Sequence, residues 1–244
     1  MVERLHLRPV TFAVGHELEY PGKPIERLYF VEAGMASMTT TFRDGSQVEV
    51  GMFGFESIVG VSVLMGTKCS LNRAYTQIEG EGFAAPVEQA RQEFRRGGIF
   101  QLLALRYVQT QLVQAMQSAG CNARHNFEQR LSRWLLICAD RVHTDTFRLS
   151  QEYLAQLLGG TRSTVSIAAS ALKALGLVDY DRGTVQILDA PGLEQHACEC
   201  YRVVKEHLDD YAMFDTTSQR DFKEVEARPP ARARAARPPK VSAA

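Results

Sequence analysis

The chain has 244 residues, 45% of them hydrophobic and 23% charged, which is enough for two compact domains and excludes a fibrous or wholly disordered protein. Lysine plus arginine and aspartate plus glutamate stand at 28 each, so the net charge is zero and any basic or acidic partner surface has to be local. No run of about 18 apolar residues is present, which excludes a transmembrane helix. The opening stretch MVERLHLRPVTF lacks the apolar segment of a secretory signal, and the cytoplasm is the expected compartment. The five cysteines, Cys69, Cys121, Cys138, Cys198 and Cys200, are odd in number and irregularly spaced, and read as free buried thiols rather than a disulfide framework.

From about Val10 to Val87 the chain reads as closely spaced short strands. A turn is predicted at Pro21-Gly22, followed by a strand ending at Gly34. Asp44-Gly45 joins two strand-like runs in MASMTTTFRDGSQVEV, a strong hairpin signal, and further turns are expected near Gly51 and Gly54. LNRAYTQIEGEGFAAP reads as a strand pair broken by Gly80 and Gly82. Many short strands at this spacing point to a small barrel or roll. The pattern turns helical at VEQARQEFRRG, and one long helix is predicted from Ile99 to about Ala123. Its apolar stripe, with Ile99, Leu102, Leu105, Leu112 and Met116, has to be buried on its own domain or on a second copy. A further helix, FEQRLSRWLLICADRV, carries the single tryptophan, Trp134.

The next segment, LSQEYLAQLLGGTRSTVSIAASALKALGLV, reads as two helices around a Gly-Gly turn. Ser150 caps the first, Gly159-Gly160 ends it, Thr161 caps the second and Gly176 terminates it. LVDY and TVQIL, joined through Asp181, Arg182 and Gly183, form a hairpin, so the pattern is a helix-turn-helix with a wing. In this register Val165 and Leu172 are buried with Leu154 and Leu158. Arg162, Ser163, Ser166 and Ile167 face outward at the helix N-terminus, the part of a recognition helix that meets base edges. An arginine there can give two hydrogen bonds to guanine. Thr161 and Thr164, with the free N–H groups of the first turn, suit a phosphate oxygen. Lys173 and, in the wing, Arg182 complete the candidate DNA-binding set, with Arg148 on the same side. The local charge from Asn122 to Ala190 is only eight bases against seven acids, so these few cations have to converge on one face. The chain closes with an acidic stretch from Leu193 to Glu226 and a basic, Pro/Ala-rich tail from Arg228 that cannot bury a core and is expected to be disordered.

These segments resemble the Crp/Fnr family of transcriptional regulators. LSQEYLAQLLGGTRSTVSIAASALKALGLVDYDRGTVQILD is similar to the family's winged-helix segment and FEQRLSRWLLICADRV to the helix leading into it; YPG, LYFVEAG, RDG and EVGMFG stand at places corresponding to the family's cyclic-nucleotide-binding β-roll. The resemblance implies an α+β protein. Its parts are a double-stranded β-roll sensor over 1–97, a dimerisation helix over 98–123, a winged helix-turn-helix over 124–192, a helical extension over 193–226 and the tail over 227–244. It further implies a homodimer joined through the long helix, a two-fold symmetric double-stranded DNA site and RNA polymerase as a partner. Arg162 matches the family's base-contacting arginine. The next position, often Glu, is Ser163 and a later one, often Arg, is Ile167, so the target sequence is expected to differ from that of the catabolite activator protein.

Cyclic-AMP binders of the family use a Gly-Glu-Leu turn for the ribose and a following Arg-Ser for the phosphate. Here the turn is Phe55-Glu56-Ser57, and Arg73, followed by Ala74, comes only after the insertion SIVGVSVLMGTKCSLN. Two readings stay open: a Glu56–Arg73–Ala74 effector pocket for a cyclic nucleotide, or a roll that takes another small molecule, or none, and serves as a dimerisation scaffold. No cofactor is expected. The iron–sulfur members carry cysteines near the N-terminus, whereas the first here is Cys69; and His16 is the only histidine between Leu7 and Asn122 for a haem. HACECY brings His196, Cys198 and Cys200 together, with His207 beyond. Placed on one helix, the two cysteines point to different faces, so no metal site is assigned. No nucleophile–base pair or phosphate loop marks an enzyme. The alternative to a DNA-binding regulator is a small-molecule sensor acting through protein contacts.

Overall fold

The computed structural model describes residues 2–212. The acidic stretch beyond 212 and the basic tail over 227–244 lie outside the described residues.

A one-turn helix α1 (Val2–Leu5) precedes eight strands: β1 (Arg8–Phe12), β2 (Glu17–Glu19), β3 (Arg27–Val31), β4 (Met35–Thr41), β5 (Gln47–Phe53), β6 (Ile58–Val59), β7 (Arg73–Ile78) and β8 (Gly80–Pro86). They form two four-stranded antiparallel sheets, ordered β1-β8-β3-β6 and β2-β7-β4-β5. Leu28, Val31, Ala36, Phe53, Val59 and Ala85 fill the roll's core. The Asp44-Gly45 turn joins β4 to β5 as the sequence predicts. The expected turn at Gly51 is instead the interior of β5, beside a register shift at Met38/Thr39. Gly80 and Gly82 do not break a strand but lie within β8. A Cβ at Gly80 would stand 1.9 Å from the carbonyl oxygen of Ala33, and one at Gly82 2.0 Å from that of Phe30. Glycine is there because two backbones touch, not because the strand ends. The insertion after Glu56 forms β6 and a 3-10 turn over Val61–Met65.

Helices α2 (Val87–Arg95) and α3 (Ile99–Arg124) follow. Phe100, Ala104, Tyr107 and Cys121 face inward along α3, at helical spacing. Asn126 then opens α4 (Phe127–Val142) with a reciprocal capping box to Gln129. Strand β9 (Thr146–Arg148), helices α5 (Gln151–Leu158) and α6 (Arg162–Ala174), and strands β10 (Val178–Asp181) and β11 (Thr184–Ile187) complete a winged helix-turn-helix. The wing is a three-stranded sheet, because β9 pairs with β11. Helices α7 (Ala190–His196) and α8 (Cys200–Ala212) end the described chain, with α8 packed along α3 and against α4. Helix α3 runs from Ile99 to Arg124, and Asp189 caps α7.

The winged helix and the roll share a core. Met35 and Met52 of the roll lie in the same apolar cluster as Trp134, Leu154, Val165 and Leu172. Polar joints also cross the seam. Trp134 Nε1 donates to Glu49 at 2.7 Å, Gln156 Nε2 donates to Gln47 at 2.9 Å, and Arg141 pairs with Glu56 at 3.0 Å.

Candidate DNA-binding interface

The helix-turn-helix is held by local devices at each joint. Ser150 Oγ accepts the amide of Tyr153, and Thr161 Oγ1 accepts that of Thr164 at 3.1 Å. Helix α5 ends on Gly159 at φ 63, with the Gly160 amide returning to the Ala155 carbonyl. A side chain on Gly160 would run into the Phe127 ring of α4, 2.5 Å from its Cβ position, so the turn has to be two glycines. Arg130 of α4 donates to the Leu158 carbonyl at the same end. Helix α6 closes in a full Schellman motif: Gly176 N–H to the Lys173 carbonyl and Leu177 N–H to the Leu172 carbonyl.

This frame decides which side chains face water. Val165, Ala168, Ala169 and Leu172 are buried against α4 and α5. Arg162, Ser163 and Ile167 are exposed, Ile167 at 68%, while Thr164 and Ser166 are half-buried beside them. A 68%-exposed isoleucine on a short helix is unfavourable in water and suits contact with an apolar surface such as a thymine methyl group. The amides of Arg162 and Ser163 precede the first backbone bond of the helix, Val165 N–H to Thr161 O, and have no intrahelical acceptor. With the Thr161 and Thr164 hydroxyls, 2.8 Å apart, they form a small polar rim at the helix N-terminus.

The wing places Arg182 at the tip of the β10–β11 hairpin. Both turn residues have positive φ, Arg182 at 46° and Gly183 at 80°, which is the primed turn that matches strand twist. The Arg182 side chain is 93% exposed. Arg148 is exposed on β9 of the same sheet. Lys173 is placed differently from the sequence expectation: its ammonium lies 2.5 Å from Asp179 on β10, and each raises or lowers the other's pKa toward the charged form. The pair is exposed at the surface, its side chains 55% and 45% accessible.

One of the two sequence readings put Glu56 and Arg73 in one effector pocket; in the structure each has a different ionic partner. Glu56 is buried and ion-paired to buried Arg141 of α4, which also donates to Gln114. Gly54 makes room for this pair, since a Cβ there would fall 2.6 Å from Arg141 Cγ. Phe55 packs on His143, ring centroids 4.6 Å apart. Arg73 instead binds Glu17 through Nε at 2.9 Å and lies over the Tyr75 ring. Ala74 is a buried core residue. The ribose and phosphate groups of a cyclic nucleotide thus meet neither side chain free, and the residues present do not fit that ligand. The turn that would hold the ribose is spent on fastening α4 to the roll. A cleft of about 500 Å³ opens between this turn, the end of α4 and α7–α8, lined by Phe55, Glu56, Arg141, His143, Tyr201 and Lys205.

Of the predicted dimerisation residues, Leu105, Leu112 and Met116 are 46%, 51% and 57% exposed, and Ile99 and Leu102 are half-buried. Leu105, Leu112 and Met116 lie on the face of α3 opposite Ala104, Tyr107 and Cys121. Among the described residues no helix is long and apolar enough to cross a membrane.

Sequence and structure comparisons agree with this architecture. The Crp-like helix-turn-helix domain family matches residues 129–196. The chain is 26% identical over 187 residues to the global nitrogen regulator of Nostoc sp. strain PCC 7120, covering 72% of this chain and 83% of that protein. It is 24% identical over 198 residues to the CRP-like cAMP-activated global transcriptional regulator of Mycobacterium tuberculosis, covering 78% and 88%. The solved structure of FixK2 from Bradyrhizobium japonicum superposes with a TM-score of 0.68 at 16% identity, over 79% of this chain and 98% of that one.

Proposed function

We propose that the chain is a transcription regulator of Crp/Fnr type that binds a two-fold symmetric DNA site as a homodimer, one α6 per half-site; its match to the Crp-like helix-turn-helix family and its similarity to curated regulators support this reading. The observation that carries the reading is the outward face of α6: one exposed arginine and small polar groups at the N-terminus of a helix whose other face is fully buried. Arg162 reads a base pair, Ser163, Ser166 and Ile167 contact neighbouring edges, Thr161 and Thr164 hold a phosphate, and Arg182 with Arg148 grips the backbone beside the groove. The apolar stripe of α3 joins the two copies, and RNA polymerase is the second partner.

The roll is the regulatory half in this reading. Any ligand that recruits the Glu56 carboxylate has to take it from Arg141, and so acts directly on the helix leading into the DNA-binding unit. Leaving either charge buried alone costs about 3–5 kcal/mol, which makes the joint two-state rather than gradual.

The test is a pair of substitutions in a binding assay over a salt series. Arg162→Ala relaxes preference at one base pair by about 1–3 kcal/mol. Arg182→Ala weakens all sequences alike and lowers the slope of log affinity against log salt by about 1. Unchanged preference in Arg162→Ala removes the assigned register.

A further inference from the structure

Cys121, His125, Cys198 and Cys200 meet in one place. Each offers a ligand atom, and these four atoms all lie within 4.8 Å of one another. The sequence kept Cys198 and Cys200 apart by placing both on one helix. The structure breaks the chain between them instead: α7 ends at His196, Ala197 is extended, and α8 starts at Cys200, so the two thiols turn to the same side. The other two ligands come from the last turn of α3, spaced i and i+4 on one face, with the His125 amide returned to the Cys121 carbonyl at 2.9 Å. His196, which the sequence grouped with the cysteines, turns away to Glu128.

We propose that these four residues form a tetrahedral Zn²⁺ site that fastens the end of α3 to the start of α8.

The edge lengths fit. Two sulfurs each about 2.3 Å from one ion stand about 3.8 Å apart. Cys121 Sγ and Cys198 Sγ are 3.5 Å apart, and Cys200 Sγ and His125 Nδ1 are 3.6 Å apart. Three thiolates and one imidazole are a soft, tetrahedral set that selects Zn²⁺ over hard cations. The surrounding groups are those that orient such ligands. Glu199 lies 3.1 Å from His125 Nε2, the ring nitrogen facing away from the sulfurs, which fixes the tautomer that leaves Nδ1 free to bind. Gln117 Nε2 donates to Cys200 Sγ at 3.0 Å. The buried guanidinium of Arg133 acts electrostatically on Cys121 and offsets the negative charge left by three thiolates on one divalent ion. Cys198 and Cys200 lie beyond the segment 129–196 that the helix-turn-helix family covers, so the site is an addition to that domain rather than part of it.

Its position gives it a consequence. One half of the site is on the helix that carries the exposed apolar stripe, immediately before the Asn126 cap of α4; the other half follows the wing. Metal loading therefore fastens the α3–α4 junction to the start of α8. The effect on DNA affinity rests on the proposed function above, whereas the metal site itself does not.

The test is a Co²⁺ titration of full-length protein, reduced, stripped with chelator and desalted, with free thiols counted beforehand. One Co²⁺ per chain is expected, with the intense visible bands of a tetrahedral site and a thiolate-to-cobalt charge-transfer band, both erased by added Zn²⁺. Cys121→Ser, Cys200→Ser and His125→Ala each cut affinity at least tenfold, and Glu199→Gln, at an exposed side chain, weakens it by about tenfold. Cys69→Ser leaves it unchanged. If a cysteine variant fails to fold, Glu199→Gln carries the comparison. Fully reduced, folded protein that takes up no Co²⁺ overturns the site, as does uptake indifferent to both Cys200→Ser and Glu199→Gln. So does a protein that retains its thiols as a Cys121–Cys198 disulfide, two hydrogens lighter, after purification under reductant. Loss of DNA binding with intact Co²⁺ spectra would count against the DNA reading and not against the metal.

Discussion

Glu49 sits half-buried at the seam between the roll and α4. Ser37 Oγ and Trp134 Nε1 donate to its two oxygens, yet burial outweighs them and pushes its pKa up to about 7. A carboxyl group that is harder to ionise folded than unfolded binds its proton more tightly in the native state. Its contribution to stability is complete at acid pH and is lost as pH rises through about 7. Glu49→Gln keeps an acceptor for Trp134 and removes the ionisation. Melting curves of the variant should therefore gain on the parent steadily between roughly pH 5 and 8; parallel curves across that range would show that Glu49 does not titrate there. Glu56 is the contrasting case. It is buried, but Arg141 stands 3.0 Å away and supplies the counter-charge. Neither role is visible in the sequence. The spacing of Glu56 and Arg73 suggests a shared ligand, but their partners, Arg141 and Glu17, are set by how α4 and β2 pack, which no local pattern encodes.

At the scale of elements, α3 carries two apolar faces, and only one is covered among the described residues. Ala104 and Tyr107 are buried, while Leu105, Leu112 and Met116 repeat on the open side at spacings of seven and four. Burying a leucine contributes about 1.5–3 kcal/mol, so a matched pair of such stripes is enough to hold a dimer. Leu112→Glu should give a monomer by light scattering with an unchanged melting temperature. A variant that stays dimeric would move the interface elsewhere, and one that unfolds would place Leu112 in the core. This helix, α6 and the β4–β5 hairpin were legible because each is marked locally, by an apolar period, a cap or an Asp-Gly turn. Strand β9 was not: three residues, Thr146–Arg148, become a strand only by pairing with β11. The thiol–imidazole cluster was hidden for the same reason, as Cys121 and Cys198 meet only once α8 folds back along α3. His125 had no local signal, though a C-x₃-H run beside a distant C-x-C was there to be matched.

The molecule as a whole couples a roll whose Glu56 carboxylate is ion-paired to Arg141 to a winged helix-turn-helix. The polar joints Gln47–Gln156, Glu49–Trp134 and Glu56–Arg141 and the shared methionines Met35 and Met52 tie one to the other. Helix α6 nonetheless presents its N-terminus outward. In the proposed reading this arrangement binds DNA without a cyclic nucleotide. The most direct measurement is selection of random DNA duplexes by the purified full-length protein with no nucleotide added. The account predicts enrichment of an inverted repeat with half-sites about one helical turn apart, lost in Arg162→Ala at one position per half-site. A folded, dimeric protein that enriches no sequence would contradict it.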